Sequence, residues 1–154
     1  MLFFGSGGRF GAMDAAGVVT DFLKLLEVRD VDAACDLLAD DVEYMNVSLP
    51  TIHGRERVRR IFTRMMARRS AGFEVYFHNV AVDGTSVLTE RTDVLIFGPV
   101  RVQIWVWGHF DVAAGQITVW KDYFDWWNVA AATVRGLVGA VVPSLRPRPP
   151  VLTV

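Results

Sequence analysis

The run Ser86-Val87-Leu88-Thr89-Glu90-Arg91-Thr92-Asp93-Val94-Leu95-Ile96-Phe97 sets an arginine and an aspartate two residues apart among apolar and β-branched neighbours. No Gly or Pro interrupts it before Gly98-Pro99, so it reads as a strand. Residues two apart on a strand share a face, which puts Val87, Thr89, Arg91, Asp93, Leu95 and Phe97 together. A charged pair on such a face is costly to bury unless each member finds a partner. Alone, the pair is better explained as a structural ion pair that satisfies itself. Two further runs that read as strands also carry polar residues where apolar ones are expected. Val42 to Ser48 puts Tyr44 and Asn46 on a common face, and Gln116 to Asp125 puts Asp122 beside Trp120 and Phe124.

Convergence of these three faces would gather two carboxylates, a guanidinium, a phenol and an amide in one apolar pocket. Two carboxylates in unlike surroundings can hold different protonation states at neutral pH. One takes a proton from water while the other donates to a leaving oxygen. A guanidinium between them bonds both and does not itself titrate. A phenol and an amide can hold the attacking water, which removes much of its entropic cost. This chemistry needs no metal, no cofactor and no covalent nucleophile.

The elements that must position these groups follow from periodicity. Asp14 is expected to cap a helix to about Val28 with Val18, Phe22, Leu25 and Leu26 on one stripe, and Asp30 to cap a second from Val31 to Leu38. Arg55 to Arg69 is a third helix, with Val58, Ile61, Phe62, Met65 and Met66 on its apolar face and Arg57, Arg60, Arg64 and Arg68 opposite. After Gly72 the period becomes two, giving four strands: Phe73 to Val82, Ser86 to Phe97, Val100 to Val112 and Gln116 to Asp125. The turns at Asp83-Gly84, Gly98-Pro99 and Ala114-Gly115 are short enough to require antiparallel pairing. In the third of these strands Val102, Ile104, Val106, Phe110 and Val112 lie on one face. Arg101, Gln103, Trp105, Trp107 and His109 lie on the other; one face is expected to meet the helices and the other a partner subunit or a second layer. A last helix, Trp126 to Val138 with Asp125 as its cap, closes the fold. Helices followed by strands argue an α+β class, a strongly curved sheet wrapped around helices. The expected organisation is a flexible segment over residues 1–12, one domain over 13–142, and a Pro- and Arg-rich tail, extended or mobile, over 143–154.

Composition narrows the function. The 154 residues include five Trp and ten Phe within a 52% hydrophobic fraction, which calls for an apolar cavity, a dimer interface or both. The formal charge of −1 gives no field toward nucleic acid, and the arginine face of the third helix is expected to be solvated. No run approaches the ~20 apolar residues of a membrane span. One cysteine, Cys35, excludes an intrachain disulfide and any multi-cysteine metal site, so a reducing, cytoplasmic setting is expected. Cys35 reads as a small buried residue. His53, His78 and His109 lack ligand spacing and are expected to be structural.

Taken together, Tyr44-Met45-Asn46, Leu49-Pro50 with His53-Gly54-Arg55, Thr89-Glu90-Arg91-Thr92-Asp93 and Val119-Trp120-Lys121-Asp122-Tyr123-Phe124-Asp125 resemble the limonene-1,2-epoxide hydrolases. The resemblance spans about Asp14 to Val138, with the Tyr-x-Asn, Arg-x-Asp and late Asp elements in the family's order. It implies a nuclear-transport-factor-2-like cone, a homodimer, and one-step addition of water to a lipophilic epoxide to give a vicinal diol. By position it implies Asp122 as general base, Tyr44 and Asn46 as holders of the water, Asp93 as general acid, and Arg91 as the bridge. Leu49, Phe62, Met65, Leu95 and Trp120 are expected to line the substrate pocket.

Two other classes fit the same fold. A ketosteroid-isomerase-like or polyketide-cyclase-like enzyme would want its neutral aspartic acid away from a cation, which Arg91 opposes. A non-catalytic small-molecule binder would not need five polar groups that each cost stability in an apolar pocket. The hydrolase-fold epoxide hydrolases are excluded, since no Gly-x-Ser-x-Gly elbow or parallel βαβ pattern occurs.

Overall fold

The computed structural model describes residues 8–151, with side chains from Ala15 onward. Residues 1–7 of the expected N-terminal segment lie outside the described residues. The elements run α1 (Gly8–Glu27), α2 (Val31–Asp36), β1 (Leu38–Asn46), β2 (Ile52–His53), α3 (Arg55–Met65), β3 (Ala71–Asp83), β4 (Ser86–Phe97), β5 (Val100–Ala113), β6 (Gln116–Tyr123) and α4 (Trp126–Val141). A 3-10 turn, Pro143–Leu145, follows.

The α+β assignment holds. The six strands form one mixed sheet in the order β2-β1-β6-β5-β4-β3, with β3 to β6 a meander and β1 parallel to β6. Register shifts at His78 in β3, near Asp111 in β5 and between Leu38 and Glu43 in β1 add local twist, which bends the sheet. The hollow of the sheet is filled by Phe22, Leu23 and Leu26 of α1, Ala34 and Cys35 of α2, and Val58 and Phe62 of α3. β5 alternates as expected: Val102, Ile104, Val106, Phe110 and Val112 are buried, while Trp105 and Trp107 stand exposed on the other face. Ala132 of α4 packs on the buried face at Val102, Ile104 and Val106. α4 comes close because Gly136 has no side chain: a Cβ there would stand 2.5 Å from the Arg101 carbonyl oxygen.

Asp30 and Asp125 are caps as expected, accepting from the Ala33 N–H at 3.1 Å and the Trp127 N–H at 2.7 Å. Asp14 is not a cap, because α1 begins six residues earlier. α2 ends at Asp36 rather than Leu38, and β1 starts at Leu38 rather than Val42. The two-residue β2 has no sequence signature; it exists because it pairs with Glu43 and Tyr44. The tail is anchored at two points, through Arg146 Nε to the Gly139 carbonyl (3.1 Å) and Gln103 Nε2 to the Arg148 carbonyl (3.2 Å). Phe97, expected on the buried face of β4, is half exposed at the strand's end.

Candidate active site

Strand alternation in β4 turns Val87, Thr89, Arg91 and Asp93 inward, and all four are buried. On β6 the same alternation buries Trp120 and Asp122. The parallel pairing of β1 with β6 sets Tyr44 beside Trp120 and Asn46 beside Asp122. Tyr44, Asn46, Asp93, Trp120 and Asp122 meet at a cavity of about 340 Å³.

Arg91 is fully buried and reaches both acids. Its Nε donates to Asp93 Oδ1 at 2.9 Å and its Nη2 to Asp122 Oδ1 at 2.7 Å. Nη1 donates to Thr89 Oγ1 at 2.9 Å. The guanidinium lies behind the acids: Asp93 and Asp122 line the cavity, and Arg91 does not. Among the described residues the one buried side-chain nitrogen or oxygen without a partner is Trp120 Nε1, so every charged member of this network is satisfied. That matters because an unpaired buried charge costs several kcal/mol, of order 3–5.

The two acids differ in surroundings. Burial pushes the Asp93 carboxyl up to about 6, against the pull of Arg91 and with the charge of Asp122 adding to the rise. Burial also pushes the Tyr44 phenol well above its usual range, again with Asp122 adding, so Tyr44 keeps its proton. Asn46 Nδ2 donates to the Tyr44 hydroxyl at 2.9 Å, which fixes that hydroxyl as acceptor on one side and leaves its proton to donate.

All five expected pocket residues, Leu49, Phe62, Met65, Leu95 and Trp120, line the same cavity. Trp120 is also a packing hub: its ring lies 4.0 Å from that of Tyr44, 4.9 Å from Phe22 and 5.7 Å from Phe62. Sequence reasoning missed the walls supplied by α1 (Leu23, Leu26) and by the start of α4 (Trp126, Val129). Their apolar spacing carries the same signal whether a residue packs in the core or faces a ligand. Thr89 was seen on the correct face, but its bond to Arg91 was not foreseen.

The other singled-out residues lie elsewhere. His78 bonds Thr92 Oγ1 at 2.8 Å and stacks on Trp105, and His109 contacts Asp111 at 3.2 Å. His53 lies 3.8 Å from Glu43 on the surface. Cys35 is buried, and that burial pushes its thiol up to about 11, so it stays protonated and unreactive. Arg57, Arg60, Arg64 and Arg68 are exposed. No helix among the described residues is long and apolar enough to cross a membrane.

The curved sheet and the helices it encloses define the class, a nuclear-transport-factor-2-like fold, here with an arginine between two buried aspartates at the wall of an apolar cavity. Comparison with known proteins takes this further. The limonene-1,2-epoxide hydrolase catalytic domain matches residues 13–135. Epoxide hydrolase EphG of Mycobacterium tuberculosis (strain ATCC 25618 / H37Rv) is 48% identical over 128 residues, 83% of this chain and 85% of that protein. The solved structure of an M. tuberculosis limonene-epoxide-hydrolase-like epoxide hydrolase superposes with a TM-score of 0.85 at 45% identity, covering 90% of this chain and 97% of that one. The chain belongs to the limonene-1,2-epoxide hydrolase family, and its enzyme class is epoxide hydrolase. A Kribbella flavida protein assigned as a ketosteroid isomerase (17% identity, TM-score 0.62, 74% of this chain and 79% of that one) shares the fold alone. So does a Xanthomonas campestris protein assigned as a polyketide cyclase (22%, 0.63, 79% and 98%).

Proposed function

We propose that this chain adds water in one step to a lipophilic epoxide, without a cofactor, and releases a vicinal diol. The observation that carries the reading is the single guanidinium joined to both carboxylates at 2.9 and 2.7 Å, at the wall of an apolar cavity. Asp122 takes a proton from a water held by Tyr44 and Asn46. The water oxygen attacks one epoxide carbon as that carbon's bond to the epoxide oxygen breaks. Asp93 gives its proton to the departing oxygen. Product is epoxide plus water; a proton passes from Asp122 back to Asp93 before the next turnover.

Role assignment follows from environment. A carboxyl pushed up by burial suits the acid, and Asp93 is raised to about 6. Asp122, next to Asn46 in register, suits the base. The mostly apolar lining of the cavity supports a lipophilic substrate. The family match supports a hydrolase over the isomerase and cyclase alternatives, whose likeness stops at the fold.

Exposed Trp105 and Trp107 on β5 with Tyr123 on β6 support a homodimer through the outer face of the sheet. Sedimentation of a Trp105→Lys/Trp107→Lys variant is expected to show a monomer. An unaltered dimer would place the interface elsewhere. The single cysteine, which allows no intrachain disulfide, supports a cytoplasmic setting.

The test is Asp93→Asn and Asp122→Asn assayed on a panel of lipophilic epoxides. Each is expected to lose on the order of 10²–10⁴-fold in kcat while remaining folded. Parent-like turnover in either folded variant would remove that residue from the reaction.

A further inference from the structure

Arg91 starts on β4 and ends against Asp122 on β6, so its guanidinium must cross β5. Neighbouring strands lie ~4.8 Å apart, so the crossing spans two intervals. The register names the residue in its path. Thr89 of β4 pairs with Gly108 of β5, and Gly108 pairs with Asp122 of β6. Gly108 therefore sits on the line between the two groups that hold the outer nitrogens of Arg91. A Cβ built there would overlap Arg91 Nη1 and stand 2.5 Å from Thr89 Oγ1 and 2.8 Å from Phe110 Cε2. The other inward residues of β5, from Val102 to Val112, all carry side chains. Phe110 flanks the opening, with the Arg91 guanidinium carbon 5.8 Å from its ring centroid.

We propose that Gly108 and Thr89 are positioning residues for the acid–base pair: the missing side chain at 108 is the passage that admits the guanidinium, and the Thr89 hydroxyl sets its rotation. Three of the guanidinium's nitrogens are thereby committed, Nε to Asp93, Nη2 to Asp122 and Nη1 to Thr89. Neither residue lines the substrate cavity. Their effect on turnover must pass through Arg91. This inference rests on the reading that Asp93 and Asp122 carry the reaction.

Displacing the guanidinium has a defined electrostatic consequence. The charged or titratable groups acting on Asp93 are Arg91 from its own strand and Asp122 from β6, with the Tyr44 phenol on β1 lining the same cavity. α1, α3, β3, β5 and α4 present apolar residues to that cavity. Moving Arg91 away removes the one cation that favours the ionised form of Asp93.

The experiment compares Gly108→Ala, Thr89→Val, Thr89→Ser, Asp122→Asn and, as a glycine control, Gly72→Ala. A Cβ at Gly72 meets Ile96 at an ordinary 3.4 Å. Gly108→Ala is expected to lose roughly a hundredfold in kcat with KM little changed, since a small misplacement of a positioning group costs that much. Its alkaline pH limb is expected to move upward. Thr89→Val is expected to follow in the same direction, Thr89→Ser to restore most of the loss, and Gly72→Ala to match the parent. A folded Gly108→Ala with parental kcat and pH limb overturns the proposal. Should Gly108→Ala not fold, parental kcat and pH limb in Thr89→Val overturn it instead. Full activity in Asp122→Asn overturns the reading of the site and this inference with it. An inactive Asp122→Asn beside a parental Gly108→Ala overturns this inference alone.

Discussion

Among the described residues, Arg59 and Arg91 each bridge a pair of aspartates at similar distances. Arg59 on α3 reaches Asp32 at 2.6 Å and Asp36 at 3.1 Å. Arg91 on β4 reaches Asp93 at 2.9 Å and Asp122 at 2.7 Å. The difference is water. The Asp32 and Asp36 side chains are 83% and 70% exposed, those of Asp93 and Asp122 9% and 7%. In solvent such a bridge is screened, and exposed pairs contribute typically ~0–1 kcal/mol. In the buried pair, desolvation raises Asp93 and makes the arginine indispensable. Contact geometry alone does not separate a surface clasp on two helices from the acid–base centre proposed here; burial beside a cavity is what sets the two apart.

Substituting the two arginines breaks the comparison most sharply. Arg91→Met leaves two carboxylates buried without their cation. It is expected to cost on the order of 3–5 kcal/mol in chemical denaturation and to abolish turnover. Arg59→Met is expected to cost no more than about 1 kcal/mol and to leave kcat as it was. Equal costs for the two would erase the distinction drawn here.

The pH dependence sharpens it. Asp93 must be protonated to act as an acid, so kcat/KM is expected to fall about tenfold per unit above pH ~6. Asp93→Asn should lack this limb in whatever activity remains. Stability moves in the same window. The folded value of about 6 lies above the ordinary 3.8, so this proton is held more tightly in the folded chain. Its contribution to stability is full below pH ~3.8 and is lost as pH rises through ~6. The stability of Asp93→Asn relative to the parent is therefore expected to rise between those values, as read from denaturation midpoints. A flat difference would place the tightly held proton on another group. The smallest effect belongs to the cavity wall: Met65→Ala is expected to change KM by a few fold with kcat retained, because it removes contact surface and no reacting group.

Much of the site was legible because strand alternation is a strict rule. Arg91 and Asp93 two apart, Tyr44 and Asn46 two apart, and Asp122 two from Trp120 could only share faces once each run was a strand. Short turns leave β4, β5 and β6 adjacent, whereas the parallel pairing of β1 with β6 that brings in Tyr44 and Asn46 had no signal in the turns. What stayed hidden had no local signal. Gly108 drew no reading from the sequence, because its meaning depends on a guanidinium that enters from another strand. Leu26 on α1 read as part of an apolar stripe, which is the same whether it meets a side chain or a ligand, and Leu23 was left off that stripe. β2 is two residues long and owes its existence to its partner strand. The start of α1 lay in a glycine-rich stretch whose propensity argued against a helix.

The most direct test of direct water addition is a single turnover of the enzyme in heavy-oxygen water, followed by mass analysis of both diol and protein. The account predicts one labelled oxygen in the first-turnover diol and none in the side chains of Asp93 or Asp122. A first-turnover diol without label, with heavy oxygen in one of those carboxylates, would establish a covalent ester intermediate and contradict it.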